Sequence, residues 1–270
     1  MGEMNRKDYV AANRAAWNEA APLHRSQNQK DLLAAFHEPG YSCLDDIETA
    51  ILKDIGVAGK DVAQLCCNNG REILSVKNLG AGRCVGFDQA EGFVEQAHEL
   101  ATASGIDCAF VCGDVYAIPA DYDAAFDLVT ITIGVLPWMP DLEAFMAVPA
   151  RLLRPGGHLF IYEEHPIMGM HEPGKADDPV RWDYSYFNKE PFVDHDGLDY
   201  YGGGAYESKP LYSFHHKLSD ILMACLENGL ALKHIEELPD HISNTFWNVE
   251  KQGPRLPMSY VLVVQKGDAD

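Results

Sequence analysis

The sequence has too little positive charge to hold nucleic acid and no apolar run long enough to cross a membrane. Its 270 residues carry 21 Lys+Arg against 41 Asp+Glu, a formal net charge of −20. A surface that acidic repels phosphates and anionic headgroups, which favours small-molecule chemistry. No stretch of about 18 apolar residues occurs, so no transmembrane helix is expected. The opening residues, Met1-Gly-Glu-Met-Asn-Arg-Lys-Asp8, are polar and mixed in charge, unlike a secretory signal. The seven cysteines are odd in number, without metal-type spacing, and Cys66-Cys67 are neighbours. Reduced thiols in a cytoplasmic compartment are the simplest reading. Internal repeats and low-complexity tracts are lacking too.

What is present is the composition of a globular protein, 47% apolar and 23% charged. The length fits one α/β domain carrying an insertion. From residue 61 strand and helix patterns alternate. Strands are expected at 62–66, 83–88, 109–112, 126–133 and 158–163, with helices at 70–78, 90–103 and 141–153. Pro149 should kink or shorten the last of these. Arg154-Pro-Gly-Gly157 reads as a turn. A helix from about Leu218 to Gly229 and strands at 234–238 and 260–264 close the pattern. The near-continuous apolar run at 126–133 suggests a parallel strand buried on both faces. This order implies a doubly wound, Rossmann-like sheet of mostly parallel strands.

Two regions stand apart. Residues 5–55 form an N-terminal helical cap. Tyr9, Asn13 and Trp17 share one face of its first helix, which either packs Trp17 on the core or acts as a lid. Residues 166–214 are too long for a simple connection. Ten of the chain's 27 aromatic residues lie between Trp182 and Phe214. They imply an ordered insertion, either a flap over an acceptor site or a dimer contact, with Gly202-Gly-Gly204 as a hinge.

The most informative stretch is Asp61-Val-Ala-Gln-Leu-Cys-Cys-Asn-Asn-Gly70, a strand entering a tight turn and a helix. Asp88 follows at the end of the second strand. Such a turn brings backbone N–H groups and a helix start to a ligand, and the acid accepts hydrogen bonds from ribose hydroxyls. Asp114-Val115 follows the third strand, Phe126-Asp-Leu-Val129 opens the fourth, and Ile133-Gly134 ends it. Leu152-Leu-Arg-Pro-Gly-Gly157-His-Leu-Phe-Ile161 precedes and enters the fifth.

In this order the features resemble the class I S-adenosylmethionine-dependent methyltransferases, over about residues 60–165 and again over 215–267. The resemblance implies seven strands, one of them antiparallel, and S-adenosylmethionine as cofactor. It places Gln64 at the family's acidic position and Cys66, Asn68 and Gly70 at the three glycine positions of the loop. Asn tolerates a left-handed backbone and Cys is small. Gln64 brings no charge to the amino group of the methionine moiety. Asp88 with Gln89 would meet the ribose. Asp114 and Val115 would hold the adenine, and Ile133-Gly134 would line the far side.

Methyl transfer from a sulfonium needs alignment and exclusion of water, and a base only where the acceptor carries a proton. Glu164, His165 and His215 are the candidate bases. Glu163 and Glu164 can equally be solvated or capping residues, and His215-His216 buried or capping ones. Metal binding by His165, His171, His195, His215 and His216 matches no standard spacing, so no metal is expected. The activity expected is methyl transfer to a small molecule. A non-catalytic cofactor-binding protein and a nicotinamide-dependent oxidoreductase are the rivals.

Overall fold

The computed structural model describes every residue except 1–3, 200, 202–203, 244, 253–254 and 269–270. Five strands, β1 (Val62–Leu65), β2 (Cys84–Asp88), β3 (Ala109–Cys112), β4 (Phe126–Ile131) and β5 (Leu153–Glu164), run parallel in the order β3-β2-β1-β4-β5. Beyond them β6 (Phe192–Asp194) pairs with β7 (Leu211–Ser213) in a separate two-stranded ribbon. β8 (Leu230–Leu238) and β9 (Ser259–Lys266) complete the main sheet, with β9 inserted antiparallel between β5 and β8. This is the seven-stranded, mostly parallel sheet that the alternation of patterns implies.

Helices α1 (Arg6–His24), α2 (Lys30–Phe36), α3 (Asp46–Asp54), α4 (Arg71–Asn78), α5 (Glu91–Ser104), α6 (Leu142–Leu152), α7 (Leu218–Glu227) and α8 (Trp247–Gln252) accompany it. One sheet face buries Leu65, Val129, Ile131 and Ile161 with Phe145 and Met146 of α6 and Cys225 of α7. The other buries Val62, Leu128, Phe160 and Tyr162 with Leu52 of α3, Ile73 and Leu74 of α4, and Leu100 of α5. Strands apolar on both faces stay between helix layers, because either face left open would expose apolar area to water.

Several expectations change. Pro149 lies inside α6, which continues to Leu152. Arg154-Pro-Gly-Gly157 is a bulge within a longer β5: Phe126 pairs with Leu153, but Leu128 pairs with His158. Gly156 takes φ +75° there. The first helix also runs past Pro22 and passes through a π-helical turn, Arg25–Gln29, into α2. Proline lacks the N–H that continues an α-ladder, and a helix can absorb that loss by a local change of hydrogen-bond register. β8 starts four residues earlier than the pattern suggested.

The insertion is ordered in part through a short helix, Pro166–Met170, and the β6–β7 ribbon. Its aromatics do not all bury, as their density suggested: Phe187 is 73% exposed and Trp182 51%. Of the expected hinge, Gly202 and Gly203 lie outside the described residues, as does Tyr200.

Candidate functional site

The turn after β1 adopts a glycine-type backbone with only one glycine. Cys66 takes φ +56°, Asn68 +49° and Gly70 +76°. Left-handed backbone costs a non-glycine residue energy, least for Asn, so neighbours must hold the turn in place. They do: Cys67 N–H donates to the Phe87 carbonyl at 2.9 Å, and Asn68 N–H to Asp88 Oδ2 at 2.8 Å. The Asn68 side chain accepts the Asn69 N–H at 2.8 Å. Close packing also explains two glycines that stay. A Cβ on Gly70 would sit 2.6 Å from the Phe110 ring, and one on Gly86 would sit 2.7 Å from Cys67 Sγ.

Asp88 ends β2 with its second oxygen accepting the Ala90 N–H at 2.8 Å. Burial pushes its carboxyl above the usual range, against these amide bonds. Each carboxylate oxygen keeps a second lone pair for a ligand hydroxyl. Gln89 and Asp114 line a cavity of about 480 Å³ whose other wall is α1: Lys7, Val10, Ala11, Arg14, Ala15 and Asn18. Gln89 Oε1 is buried without a partner among the described residues. Asp114 also caps the short helix after β3, accepting from Tyr116 N–H at 3.0 Å. Val115 is 8% exposed and belongs to the sheet core.

Helix α1 spans the carboxyl ends of the strands. At one end Arg14 and Asn18 hold Glu91 at the start of α5; at the other, Arg6 meets Asp141 at 3.0 Å before α6. Trp17 meets Phe93 and Trp138 edge-on, with ring centroids 5.8 and 5.6 Å away. The two readings of this helix therefore merge, since Trp17 packs on the core from a helix that covers the strand ends. The insertion is fastened over the same region. Asn13 clasps both backbone groups of Tyr212 at 2.8 Å, Arg71 meets the Tyr201 hydroxyl at 3.2 Å, and Gln27 meets Asp199 at 2.8 Å.

At the β1–β4 side, Gln64 is 1% exposed. Its Nε2 donates to Glu72 Oε2 at 2.6 Å and to Thr132 Oγ1 at 3.0 Å. Glu72 and Thr132 escaped the sequence reading. An acid in the first turn of a helix looks like a favourable dipole contact, and nothing local ties it to a residue eight positions back.

The loop holding Ile133 and Gly134 is shaped by Glu163, which points away from solvent. Its two oxygens accept the backbone N–H groups of Gly134, Val135, Leu136 and Glu164, at 2.6 to 3.1 Å. Burial raises its pKa to about 7. Of its two readings, capping is the one the geometry matches. Gly134 sits at φ +82° with its amide taken by this carboxylate.

The candidate bases differ sharply. Both ring nitrogens of His165 are committed: Nδ1 accepts the Ile167 N–H at 3.1 Å, so Nε2 carries the proton and donates to Glu237 at 2.9 Å. Burial lowers its pKa, and this geometry leaves no nitrogen to take a substrate proton. Glu164 Oε1 accepts from the hydroxyls of Ser243 and Thr245. Burial raises its carboxyl, and its Oε2 makes no hydrogen bond to the described residues. His215 packs edge-on against Tyr186, its Nε2 buried without a partner among the described residues, and burial lowers its pKa. His216 is tied to the Met139 carbonyl at 2.8 Å. Among the described residues no group of three or more His, Cys, Asp or Glu is placed to hold a metal ion.

Residues 62–157 match the family model described as a methyltransferase domain. The ubiquinone biosynthesis O-methyltransferase of Proteus mirabilis is 30% identical over 105 residues, 39% of this chain and 42% of that protein. The chain thus spans about two fifths of the length of the curated relatives it matches. An S-adenosylmethionine-dependent methyltransferase from Mesorhizobium loti shares the fold at TM-score 0.58 and 21% identity, over 80% of this chain and 96% of that one. The [4+2]-cyclase SpnF does so at TM-score 0.58 and 18% identity, over 94% and 95%. Residues 62–157 are thus similar to a methyltransferase domain, and the chain shares its fold with S-adenosylmethionine-dependent methyltransferases.

The residues present fit that family's cofactor. The left-handed turn, the lone pairs of Asp88 and the cavity beside Gln89 and Asp114 lie at one end of the site. Gln64 Oε1, buried without a partner among the described residues, lies at the other.

Proposed function

We propose that the protein transfers the methyl group of S-adenosylmethionine to a small molecule held beneath α1 and the insertion. The observation that carries this reading is the turn Cys66–Gly70, held left-handed and tied to Asp88 beside a cavity under α1. The bound sulfonium supplies an electrophilic methyl group. Asp88 and Gln89 take the ribose, and Asp114 with Val115 the adenine. Gly70 and the start of α4 let the chain approach closely. Trp17, Trp138, Leu198 and Tyr201 exclude water, and positioning supplies most of the rate.

The curated relatives' name points to an oxygen acceptor. A hydroxyl must lose its proton, and Glu164 is our candidate to receive it; its Oε2, without a hydrogen bond to the described residues, supports this choice. Its raised pKa brings it nearer neutrality, where a carboxylate is a better base. His215 is the second candidate. The seven free thiols support a reducing, cytoplasmic setting, and the net charge of −20 supports a partner other than nucleic acid. Exposed Trp182 and Phe187 support self-association into a homodimer through the insertion.

Thermal denaturation with S-adenosylhomocysteine or NAD tests the reading, because a ligand bound only by the folded state raises Tm. A shift with the first is expected; a shift with NAD alone overturns it. The fold leaves room for a different chemistry, as a neighbour named as a cyclase shows. Binding without methyl transfer to any phenol or amine supplied, and with Glu164→Gln binding unchanged, would favour the non-catalytic reading.

A further inference from the structure

The cluster around Gln64 presents an unbalanced set of hydrogen-bonding groups. Glu72 is ordinarily an acceptor alone, so the Gln64 side chain must turn its Nε2 toward it, and Oε1 faces the other way. The Thr132 hydroxyl donates to Glu72 and accepts from Gln64. Every donor in the triad is therefore used internally, and acceptors remain. Gln64 Oε1 is buried without a partner among the described residues. Glu48, 6% exposed, brings a second buried oxygen in the same condition, and burial together with the neighbouring Glu72 charge raises its carboxyl well above the usual range. Arg71 offers Glu72 only a 3.7 Å contact. Buried acceptors left unmet are costly, and a cluster of them with carboxylate charge calls for a cation rich in N–H donors.

The position says which cation. Gln64 stands one residue before the end of β1, and Thr132 one residue past β4. The ribose end of the site is held across the turn, by Asp88 on β2. A cofactor laid along the turn from Asp88 puts its amino-acid end at Gln64, Thr132 and Glu72. That end carries the one ammonium group of S-adenosylmethionine, with three N–H donors.

On the methyltransferase reading above, we infer that Glu72, acting with Gln64, receives the α-ammonium of the methionine moiety. Gln64 leaves β1 without a charge here, and Glu72 in the first turn of α4 supplies it. Gln64 is the bridge that positions that carboxylate.

Isothermal titration with two ligands tests this. S-adenosylhomocysteine carries the ammonium; 5′-methylthioadenosine keeps the nucleoside and thioether and lacks the amino acid. Glu72→Gln should weaken S-adenosylhomocysteine binding on the order of 10- to 100-fold, the scale of a charge-assisted hydrogen bond. Methylthioadenosine binding should stay within about 2-fold of wild type. The exchange Gln64→Glu/Glu72→Gln moves the carboxylate to β1 and should recover most of the preference for S-adenosylhomocysteine. Should Glu72→Gln fail to fold, the exchange variant decides alone: a retained preference supports the inference, and a lost one overturns it. Equal losses for both ligands make Glu72 structural and overturn it, as does unchanged S-adenosylhomocysteine affinity. A wild-type protein that binds neither ligand overturns the methyltransferase reading as well; one that binds both confines any failure to Glu72.

Discussion

The backbone N–H of Asn68 donates to Asp88 Oδ2 at 2.8 Å, so the turn after β1 and the acid after β2 are one unit. Asp88 organises the turn before any ligand arrives, and its other oxygen fixes the start of α5 through Ala90.

Asp88→Ala therefore has two consequences. Two buried amides lose a charged acceptor, which should lower stability by about 2–4 kcal/mol. Affinity for S-adenosylhomocysteine should fall by a further 1–3 kcal/mol, roughly, through the lost ribose contacts. Urea denaturation and calorimetry measure the two separately. A variant as stable as wild type would show that the Asn68 and Ala90 bonds contribute nothing.

The unusual residues of the turn can be weighed against glycine. Asn68 at φ +49° is strained only mildly, so Asn68→Gly should change stability by less than about 1 kcal/mol. Asn68→Ala keeps the strain without the side-chain bond to Asn69 and should cost about 1–2 kcal/mol. Equal stability of the two variants would mean that the left-handed backbone is not the constraint.

The sheet was legible because its strands are apolar runs separated by helical spacing, and the places of Asp88 at the end of β2 and Asp114 just past β3 because each acid follows such a run. Three things were not legible. Left-handed backbone at Cys66 carries no sequence mark, since a small residue is consistent with many conformations. Glu163 could be read only as solvated or capping, because strand alternation alone does not show that its side faces three amides of the loop after β4. His165 looked like a base for its type and position, but the residue before a proline at a short helix start also serves as a cap, and there its Nδ1 is spent. Pro149 was expected to kink or shorten its helix, yet α6 continues past it to Leu152, as the first helix continues past Pro22.

Glu163 should leave a signature in the pH dependence of stability. Its folded pKa of about 7 lies above the ordinary 4.5. A raised carboxyl favours the folded state while protonated, so this contribution is full below pH 4.5 and is lost as pH rises through 7. The loss is on the order of 3 kcal/mol. Glu163→Gln removes the titration, though it also turns an amide N–H₂ toward backbone donors and lowers stability overall. The difference in unfolding free energy between about pH 5 and about pH 7.5 should therefore be more negative for wild type than for the variant. Parallel pH profiles would place the titrating group elsewhere.

The contact between Asn13 and Tyr212 joins α1 to the insertion through two bonds of 2.8 Å, with Asn13 only 1% exposed. Tyr9, one turn earlier, packs edge-on against Tyr212 and Phe214, both with centroids at 5.1 Å. The two covers of the strand ends thus share one fastening, and loosening it should open both. Asn13→Ala leaves two backbone groups of β7 without partners, at a cost of about 1–3 kcal/mol. That cost falls on the docking of the lid; the sheet core, which Asn13 does not touch, should keep its protection. Hydrogen exchange should quicken in α1 and around Tyr212 in the variant while β1, β4 and β5 exchange as in wild type. Limited proteolysis of the insertion should speed up, and S-adenosylhomocysteine should slow it again if the lid closes over the ligand. Uniform acceleration across sheet and lid would make Asn13 part of the global core. No acceleration anywhere would mean that the aromatic contacts of Tyr9 hold the lid without it.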